Sequence, residues 1–422
     1  MPNNRRSPAG RYEQLNRCSS SFMSFKIQPN FNRDPSWQDT PVQVASHGTS
    51  LKNVNFPEVG KWPGTAADAM GLCKHTNIAY TCRPSRKTHR TCNVKLFLHI
   101  GYPKTGTSAI QAFLVKNKEQ LKKQGCLYPQ TGRLGHAHYG VSSAFGLGRH
   151  SAADASITPA KIQALLDSEL KQSDCTSLIL SSENFILSKN PKVIGDTFSD
   201  FDIHPIVYLR RHDDWFESAY NQSVRMVQNP PWGTTIEGFV QLQINRKALP
   251  FDYYELLKLW DASFPGGRLI VRPFEKEQNK PDIFADFLNA IDLSMNPGFE
   301  THLGNAGNES ISSERLMIID AIQRTNASSE LKRKIVKGII EKNEVTSDRY
   351  TFLSPTARAD LLKRYSPSYE KVAKEFLTPP NERLFVSPEP NPTDEWVPPS
   401  EPEWRRSVDI IIDVLSDQSQ SR

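Results

Sequence analysis

The segment Leu96–Leu114 constrains the fold of this 422-residue chain more than any other. Its sequence, LFLHIGYPKTGTSAIQAFL, begins with a short apolar run that predicts a buried strand. A loop bracketed by Gly101 and Gly106 follows, and an amphipathic helix begins directly after the loop. A strand, a glycine-containing loop and a helix in this order direct backbone N–H groups and the positive end of the helix towards one point. The segment therefore predicts an anion-binding loop.

The glycine spacing of this loop, G-x-x-x-x-G, matches that of a Walker phosphate-binding loop. In a Walker loop the second glycine is followed by a lysine and then by a serine or threonine. Here Thr107 and Ser108 follow it, and the lysine lies inside the loop as Lys104. The displaced lysine indicates a phosphate-binding loop that differs from those of Walker-type kinases and NTPases.

Short apolar segments rich in β-branched residues predict the strands of a sheet. The predicted strands are Leu96–Ile100, Ser177–Ser182, Pro205–Arg210 and Arg268–Val271. Helical patterns lie between them, for example at Ser108–Lys123, Pro159–Leu170 and Trp215–Met226. Apolar strands that alternate with helices favour a parallel sheet covered on both faces. We therefore predict an α/β fold, with a P-loop NTPase-like central parallel sheet flanked by helices.

After about residue 280 the pattern becomes helical and predicts a C-terminal helical cap of the same domain. The predicted helices are Pro281–Ile291, Ser312–Gln323, Glu330–Glu341, Pro355–Tyr365 and Pro367–Phe376. The segment from Thr378 to Pro402 is rich in proline and glutamate, which predicts an extended linker before a short helix at Trp404–Leu415. The predicted organisation is a tail at 1–91, one domain at 92–378, and a linker with a short helix at 379–422.

Charge separates the tail from the domain. Residues 1–95 contain 14 basic and 5 acidic residues, while the net charge of the chain is +6, so the remainder is mildly acidic at −3. The low hydrophobicity of the tail predicts that residues 1–91 are mostly disordered. The acidic remainder gives no reason to expect nucleic-acid binding. A true start at Met23 or Met70 is an alternative to residue 1.

The cysteines and the apolar segments indicate in which cellular compartment the protein is expected. The six cysteines form no CxxC pair, which is typical of free thiols in a reducing compartment. No run approaches the roughly 18 apolar residues of a membrane span, and the first residues contain no apolar segment typical of a secretory signal. We therefore expect a cytoplasmic protein, and the sequence indicates no particular oligomeric state.

Residues suited to chemistry follow three of the predicted strands. The loop with Lys104 follows the first, Glu183 follows the second, and Arg210 and Arg211 follow the third, before a helix that carries Ser218. Because ligands of parallel sheets bind beyond the carboxyl ends of the strands, these residues are expected to share one cleft. The cleft would contain two cationic anion sites and a carboxylate suited to proton transfer. A ligand with two separate anionic ends fits this arrangement.

These segments together resemble the sulfotransferases that use 3′-phosphoadenosine 5′-phosphosulfate (PAPS). PKTGTS follows a predicted strand, and Arg210 precedes Ser218 by eight residues within LRRHDDWFESAYNQ. The chain is most similar, over about residues 94–378, to bacterial members with HIGxxKTGTS, SSENF and YLRRxDxWxESAYNQ segments. The resemblance implies that a sulfuryl group moves from PAPS, as co-substrate, to a hydroxyl acceptor, for which carbohydrate is the expected class. It also implies that Arg210 and Ser218 hold the 3′-phosphate, and that the 5′-phosphosulfate is held by Lys104, Thr105, Gly106, Thr107 and Ser108.

Sulfuryl transfer resembles phosphoryl transfer in requiring mainly in-line positioning and stabilisation of charge on the leaving oxygen. A lysine inside the loop, Lys104, can reach that oxygen as charge develops on it. A sulfuryl group carries less charge than a terminal phosphoryl group, and the second strand ends in Ser-Ser-Glu, so we expect no metal requirement. The alternatives are a Walker-type nucleotide kinase or NTPase, and a non-enzymatic binding protein that acts through the basic tail.

Three residues are candidates for the general base that activates the acceptor. Glu183 lies where related sulfotransferases place catalytic or substrate-contacting residues, although it could equally cap a helix or pair with an arginine. His136 and His138, in GRLGHAHYG, are alternatives because the unperturbed imidazole pKa of about 6.5 suits proton transfer near neutral pH. His99 is expected to be a structural neighbour of the loop.

Several other residues have less specific predictions. Arg211 is either a second phosphate ligand or a salt-bridge partner of the aspartates that follow it. Arg133 is a candidate contact for the acceptor, and Asn308 and Ser310 resemble a family segment at the start of the helical cap. The aromatic residues expected to pack in the core are Trp215, Tyr220, Trp232 and Trp260, with stacking on a sugar as the alternative for the last two.

Overall fold

A computed structural model describes residues 94–148, 157–247, 249–302, 311–342, 350–399 and 401–420, with side chains up to residue 416. The tail predicted at 1–91 and the candidate residues Asn308 and Ser310 lie outside these ranges. Within them the chain forms an α/β structure around a five-stranded, all-parallel sheet flanked by helices. The α/β class and the parallel sheet predicted from the sequence are confirmed.

The strands of the sheet are β1 (Lys95–His99), β2 (Cys126–Leu127), β3 (Ser177–Ser181), β4 (Asp202–Leu209) and β5 (Ile270–Pro273). Their order across the sheet is β2-β3-β1-β4-β5, so that β1 is central. The four predicted strands are all present, with bounds that differ from the predicted ones by at most three residues. The remaining strand, β2, has only two residues, too few to produce a recognisable pattern in the sequence.

The register brings the ends of neighbouring strands together. His99, the last residue of β1, pairs with Ser181 at the end of β3 and with Ile206 of β4. Since all strands run in the same direction, the segments that follow them leave the sheet at one edge. The residues predicted to share a cleft are therefore brought to the same edge of the sheet.

The first eight helices are α1 (Thr107–Lys116), α2 (Lys118–Lys123), α3 (Tyr139–Ala144), α4 (Pro159–Ser173), α5 (Lys192–Thr197), α6 (His212–Met226), α7 (Ile236–Arg246) and α8 (Tyr253–Ser263). The single helix predicted at Ser108–Lys123 is divided at Asn117. The Asn117 side-chain amide donates to the carbonyl oxygens of Phe113 and Glu300, each at 2.9 Å. Because Glu300 is distant in sequence, the local pattern contains no sign of this break.

The later helices are α9 (Ile283–Ala290), α10 (Ser313–Arg324), α11 (Ser329–Glu341), α12 (Pro355–Glu375) and α13 (Trp404–Gln420). The prediction of two helices separated at Pro367 is wrong, because α12 continues through this proline. Proline has no N–H to donate to the carbonyl four residues earlier, that of Lys363. The Ser366 hydroxyl donates to this oxygen at 3.2 Å instead, which allows the helix to continue.

Helices cover both faces of the sheet. Leu96 and Leu98 of β1 lie in one core with side chains of α4–α8 and α10–α12, whereas Phe97 lies in a second core with α1, α2 and α9. Helix α6 contacts α10 and α12, so much of the helical region predicted after residue 280 packs over α6. Among the described helices, none combines the length and apolar character needed to cross a membrane.

The segment predicted as an extended linker is packed against the domain over part of its length. Residues 378–399 form no helix or strand, yet Leu384 is 1% exposed and the Phe385 ring lies edge-on to Tyr369, with centroids 5.0 Å apart. The backbone N–H of Val386 donates to the Glu275 carboxylate at 2.6 Å. Two apolar side chains therefore anchor part of the predicted linker to the domain, despite its proline- and glutamate-rich composition.

Candidate functional site

A close approach between two backbone segments places Glu183 beside the loop that follows β1. Gly101 has a φ of +57°, and a Cβ atom on it would lie 2.9 Å from the Cα of Glu183. Only glycine accommodates both this φ and this distance without displacing its neighbour. The first glycine of the predicted loop therefore sets the spacing between the loop and the end of β3.

The threonine hydroxyls of the loop are used within the loop itself. The Thr105 hydroxyl donates to the Tyr102 carbonyl oxygen at 2.6 Å, and the Thr107 hydroxyl donates to the same oxygen at 3.4 Å. Both threonines are buried, whereas Ser108 is exposed in the first turn of α1. The side chains of Thr105 and Thr107 thus fix the shape of the loop, and Ser108 presents its hydroxyl to solvent.

The backbone N–H groups at the start of α1 remain available to a ligand. The helix begins at Thr107, and Gly106, with a φ of +74°, precedes it without a side-chain cap. Between Lys104 and Ala109, no N–H group donates to an acceptor in the described part of the chain. The initial N–H groups of a helix have no partner within the helix, and its dipole adds positive potential there. The loop therefore has the features of the predicted anion-binding cradle.

Lys104 and Arg210 meet at this loop. Lys104 has a φ of +67°, which is unusual for a residue other than glycine, and its carbonyl oxygen accepts a hydrogen bond from Nη1 of Arg210 at 2.9 Å. The Arg210 guanidinium lies over the Phe274 ring, 5.5 Å from its centroid. A Cβ atom on Gly106 would lie 2.9 Å from that same ring. These contacts hold Arg210 beside the second glycine of the loop.

Two arginines act electrostatically on Lys104. Burial and the nearby Arg225 and Arg210 guanidinium groups lower the pKa of Lys104 to about 8. Burial also lowers the pKa values of Arg210 and Arg225, and the nearby Asp214 and Asp213 carboxylates only partly oppose this effect at Arg210. None of the three forms a salt bridge with a carboxylate among the residues that the structure describes. A partly buried group of cations without a paired carboxylate favours the binding of an anion.

Sequence reasoning did not identify Arg225 as part of this group. Arg225 lies on α6 seven residues after Ser218, so the two residues share a face of the helix. The helical spacing from Ser218 was a signal that could have identified it. The electrostatic effect of Arg225 on Lys104, in contrast, depends on how α6 crosses the loop and has no signature in the sequence.

Arg211 has a structural role, and this decides between its two predicted roles. Its guanidinium donates to both carboxylate oxygens of Asp213, at 2.8 and 3.0 Å, and to the carbonyl oxygens of Ser387 and Pro388. Arg358 pairs with Asp213 and Asp214 at 2.6 Å. The salt-bridge prediction for Arg211 is confirmed, and its donors are engaged. Of the two adjacent arginines, Arg210 is therefore the one available to bind a ligand.

Helix α6 is fixed to the loop by Trp215. The indole N–H of Trp215 donates to the Pro103 carbonyl oxygen at 2.9 Å. Ser218 lies three residues later on the same helical face and is partly exposed. Ser218 therefore lies on the side of α6 that faces the loop, where Trp215 binds Pro103.

The four aromatic residues predicted to pack in the core are buried, which confirms that prediction for Trp215, Tyr220, Trp232 and Trp260.

Two neutral side chains hold the Glu183 carboxylate in place. The Tyr139 hydroxyl donates to Oε1 at 2.5 Å, and Nε2 of Gln111 donates to Oε2 at 3.2 Å. The same Gln111 amide donates to the Ser181 hydroxyl at 3.2 Å, which also contacts Nδ1 of His99 at 2.8 Å. Tyr139 and Gln111 have no motif in the sequence that marks them. Their arrangement fixes the carboxylate at the edge of the sheet and leaves it without a cationic partner among the described residues.

The three histidines of this region differ in accessibility. His138 is buried, its Nε2 contacts the Pro129 carbonyl oxygen at 3.0 Å and its Nδ1 accepts the Ser181 N–H at 3.1 Å. Burial lowers its pKa to about 4. With both ring nitrogens engaged, His138 has a structural role, and this geometry argues against it as the base. His136 is exposed. Burial lowers the pKa of His99 to about 3, which agrees with its predicted role as a structural neighbour of the loop.

Arg133 lies in the same region as the Glu183 carboxylate. Its guanidinium is 5.7 Å from the Tyr128 ring centroid and donates to the Gln130 side chain. Its Nε and Nη1 are buried and have no partner among the described residues. The Tyr128 hydroxyl donates to the His136 carbonyl oxygen at 2.6 Å, which connects Arg133 to the segment around His136. Arg133 therefore lies beside the segment that carries His136, and its role as an acceptor contact stays a prediction.

Comparisons with known proteins add one relative. The chain is 29% identical, over 217 residues, to an uncharacterised protein of the archaeon Archaeoglobus fulgidus. The similarity covers 50% of this chain and 57% of that protein, so the chain spans just over half the length of the relative. No family model matches the chain, and no solved structure is significantly similar to it.

Proposed function

We propose that this protein is a sulfotransferase that moves the sulfuryl group of PAPS to a hydroxyl acceptor. The loop from Lys104 to Ser108 binds the 5′-phosphosulfate through its backbone N–H groups and the Lys104 ammonium. Arg210, with the Ser218 hydroxyl, binds the 3′-phosphate. The resemblance to PAPS-dependent sulfotransferases favours a carbohydrate hydroxyl as the acceptor and a P-loop NTPase-like identity for the fold.

One observation carries this proposal: in the described part of the chain Lys104 and Arg210 meet at the loop and neither forms a salt bridge with a carboxylate, while the adjacent Arg211 is paired with Asp213. A structural arginine in a buried position normally has such a partner, because an unpaired buried charge is unfavourable. Arg210 and Lys104 gain that compensation when an anion binds. The strand end also supplies Glu183, so cationic and basic groups lie at the same edge of the sheet.

The transfer assigns a role to each of these groups. The acceptor oxygen attacks the sulfur, the new S–O bond forms, and the bond from sulfur to the 5′-phosphate oxygen breaks in line with it. The hydroxyl proton passes to the Glu183 carboxylate. Lys104 stabilises the negative charge that develops on the leaving phosphate, and 3′,5′-ADP is released. We expect no metal ion to be required for these steps.

Calorimetric titration of the full chain with 3′,5′-ADP, in the presence of EDTA, tests the proposal. We expect binding of 3′,5′-ADP, and weak or no binding of ATP with Mg²⁺. Tight binding of MgATP without binding of 3′,5′-ADP would instead indicate a Walker-type kinase or NTPase. Transfer of radiolabelled sulfate from PAPS to a panel of hydroxylated acceptors then tests the activity itself.

The variant Arg210→Gln tests the division of the nucleotide between two anion sites. A charge-assisted hydrogen bond contributes about 1.5–3 kcal/mol, so we expect the affinity for 3′,5′-ADP to fall by about tenfold or more. The affinity for 5′-AMP, which has no 3′-phosphate, should change little. Arg383→Gln, an exposed arginine after α12, is the matched control. Equal losses for both nucleotides would contradict the assignment of Arg210 to the 3′-phosphate.

A further inference from the structure

A network of three buried polar side chains, His99, Ser181 and Gln111, leads from the end of β1 to the Glu183 carboxylate. Nδ1 of His99 lies 2.8 Å from the Ser181 hydroxyl, and Nε2 of Gln111 lies 3.2 Å from the same hydroxyl. Nε2 of Gln111 also lies 3.2 Å from Oε2 of Glu183. Each of the three side chains is at most 3% exposed. Buried polar groups satisfy one another, so the position of one proton in the network decides the position of the next.

The direction of the hydrogen bonds is set at the carboxylate. An ionised carboxylate only accepts hydrogen bonds, so the Gln111 atom that faces Glu183 is the amide nitrogen. This NH₂ group has two protons, and the second is donated to the Ser181 oxygen. The Ser181 hydroxyl has a proton of its own, and Nδ1 of His99 is the acceptor that remains for it among the described residues. Nδ1 of His99 is therefore the unprotonated ring nitrogen.

The single proton of His99 then lies on Nε2. Burial lowers the pKa of His99 to about 3, so the ring is neutral near pH 7 and keeps one proton. Nε2 is buried and has no hydrogen-bond partner in the part of the chain that the structure describes. The His99 ring is inclined by 65° to the Phe287 ring, with centroids 5.4 Å apart, and an N–H group interacts weakly but favourably with an aromatic neighbour. The surroundings therefore favour the Nε2–H tautomer.

The sheet holds the first two members of the network in register. His99 and Ser181 are paired across β1 and β3, and paired residues of neighbouring strands have their side chains on the same face. The Ser182 N–H donates to the His99 carbonyl oxygen at 3.2 Å, one residue before Glu183. The backbone that carries Glu183 is therefore bound directly to the end of β1.

Helix α1 connects the network to the anion-binding loop. Gln111 lies four residues after Thr107, the first residue of α1, so the two buried side chains share one face and are one turn apart. The free N–H groups described above belong to the first turn of this helix, and Gln111 belongs to the second. The same short helix thus contacts the proposed donor with its N-terminus and the proposed base with its next turn.

We propose that Gln111 is a positioning residue that fixes the Glu183 base relative to the bound donor. His99, in its Nε2–H form, orients Gln111 through Ser181. This inference rests on the proposed sulfotransferase function. Transfer requires the acceptor oxygen to be aligned with the sulfur while the base faces the acceptor proton, and small displacements of either group slow it. Gln111 and His99 act on the transfer only through Glu183.

A double-variant cycle tests this role. Gln111→Met keeps the length of the side chain and removes both donors. Because a hydrogen bond to a charged group is lost, we expect kcat to fall by about tenfold or more, while the KM for PAPS and the affinity for 3′,5′-ADP are retained. In the Glu183→Gln background the same substitution should change kcat little, since the residue through which Gln111 acts is already replaced. A purely structural role would lower kcat by the same factor in both backgrounds.

Two further variants complete the cycle. Ser181→Ala removes a single buried hydroxyl and should lower kcat less than Gln111→Met, again only while Glu183 is present. Gln172→Met is the matched control. Gln172 is an exposed residue of α4 whose amide also donates to a serine hydroxyl, that of Ser168, at 3.3 Å. Its turnover should match that of the parent protein.

The tautomer of His99 is measured without turnover. In protein labelled with [¹⁵N]histidine, long-range ¹H–¹⁵N correlation distinguishes a protonated ring nitrogen from an unprotonated one, and contacts with the Phe287 ring identify His99. We expect a protonated Nε2 and an unprotonated Nδ1 throughout about pH 6–8. Ser181→Ala removes the proton donated to Nδ1 and should shift the Nδ1 signal.

The outcomes separate this inference from the proposed function. If sulfate is transferred but Gln111→Met lowers kcat equally in both backgrounds, or in neither, Gln111 does not act through Glu183 and the inference is overturned. A proton on Nδ1 of His99 would also overturn it, because the Ser181 hydroxyl could not then donate to the ring. If the tautomer is as expected but neither binding of 3′,5′-ADP nor sulfate transfer occurs, the network stands and the sulfotransferase assignment fails.

Discussion

At the scale of single residues, Lys104 offers a titration that reports on the proposed site. Burial, Arg225 and Arg210 hold its pKa at about 8 in the free protein, so Lys104 is mainly charged below pH 8 and mainly neutral above it. A phosphate group bound at the loop favours the charged form and raises this pKa. Binding at pH 8 is therefore expected to be accompanied by proton uptake.

The first prediction is that 3′,5′-ADP takes up a fraction of a proton, at most about one half, when it binds at pH 8. The phosphates are fully ionised at this pH, so the uptake belongs to the protein. Calorimetry in buffers with different ionisation enthalpies measures it, and the affinity should fall as the pH rises from 8. Lys104→Gln should abolish the uptake. A binding heat independent of the buffer in the unmodified protein would rule out Lys104 as a phosphate ligand.

Glu183 gives the second prediction. The Tyr139 hydroxyl and the Gln111 amide hold its carboxylate in one orientation, which suits a base that must face a bound hydroxyl. Glu183→Gln keeps the shape and removes the basic oxygen, so we expect turnover to fall by about 10²–10⁴-fold. Binding of 3′,5′-ADP should be retained, because Glu183 does not contact the loop cations in the described structure.

The control for Glu183 is His136, whose exposed ring is the remaining histidine candidate for the base. Sulfate transfer by His136→Ala is expected to match that of the parent protein. A silent Glu183→Gln together with an inactive His136→Ala would transfer the role of base to His136. Tyr139→Phe should lower turnover less than Glu183→Gln, since it removes one hydrogen bond and keeps the carboxylate.

The residues of the candidate site were predictable from the sequence where they directly follow neighbouring strands of the sheet. Lys104 and the loop follow one strand, and Glu183 and Arg210 follow its two neighbours, so a parallel sheet is enough to collect them. Arg225 and Gln111 were not predictable in this way. The effect of Arg225 on Lys104 depends on how α6 crosses the loop, and the contacts of Gln111 depend on how α1 packs beside β3. No local sequence pattern encodes either arrangement.

At the scale of elements, the junction between β1 and α1 depends on two separate properties of Gly101. Its φ is positive, and its missing Cβ allows the Glu183 backbone to approach. Gly135 has a similar φ of +63°, but no atom lies within 4 Å of the position of its Cβ. The two glycines therefore allow the cost of the backbone conformation to be separated from the cost of the close contact.

The third prediction compares Gly101→Ala with Gly135→Ala. A left-handed conformation costs alanine about 1–2 kcal/mol, and we expect Gly135→Ala to lower the free energy of unfolding by about that amount. Gly101→Ala should lower it further and reduce sulfate transfer, because the methyl group displaces Glu183 from the loop. Urea unfolding measures both variants. Equal losses of stability, with full activity for Gly101→Ala, would show that the close approach has no role in the site.

The elements themselves were predictable where side-chain periodicity is strong. The apolar strands β1, β3 and β4 show such a pattern, and their predicted bounds lie within three residues of the observed ones. The prediction failed where a single hydrogen bond decides the outcome. Ser366 allows α12 to continue past a proline, and Asn117 ends α1 by binding a segment distant in sequence.

At the scale of the whole molecule, the C-terminal helix α13 docks on α11. The Val414 side chain is 1% exposed, and it occupies the space left by the missing side chain of Gly338. The Asp413 carboxylate pairs with Lys342 at 2.7 Å, and Glu314 pairs with Arg406 at 2.9 Å. The sequence predicted a helix here, but it contained no sign of where the helix packs, because a single glycine provides the socket.

The last prediction reverses the usual effect of a helical glycine. Replacing glycine by alanine inside a helix normally stabilises it by about 1 kcal/mol. A Cβ atom on Gly338 would lie 2.3 Å from Cγ1 of Val414, so Gly338→Ala is expected to displace α13 and destabilise the protein by about 1–3 kcal/mol. Adding Val414→Ala removes the atoms that clash, so the double variant should lose less stability than the sum of the two single variants. Urea unfolding of all four proteins measures this coupling. Additive losses, or a gain of stability in Gly338→Ala alone, would show that α13 is not seated on α11 in solution.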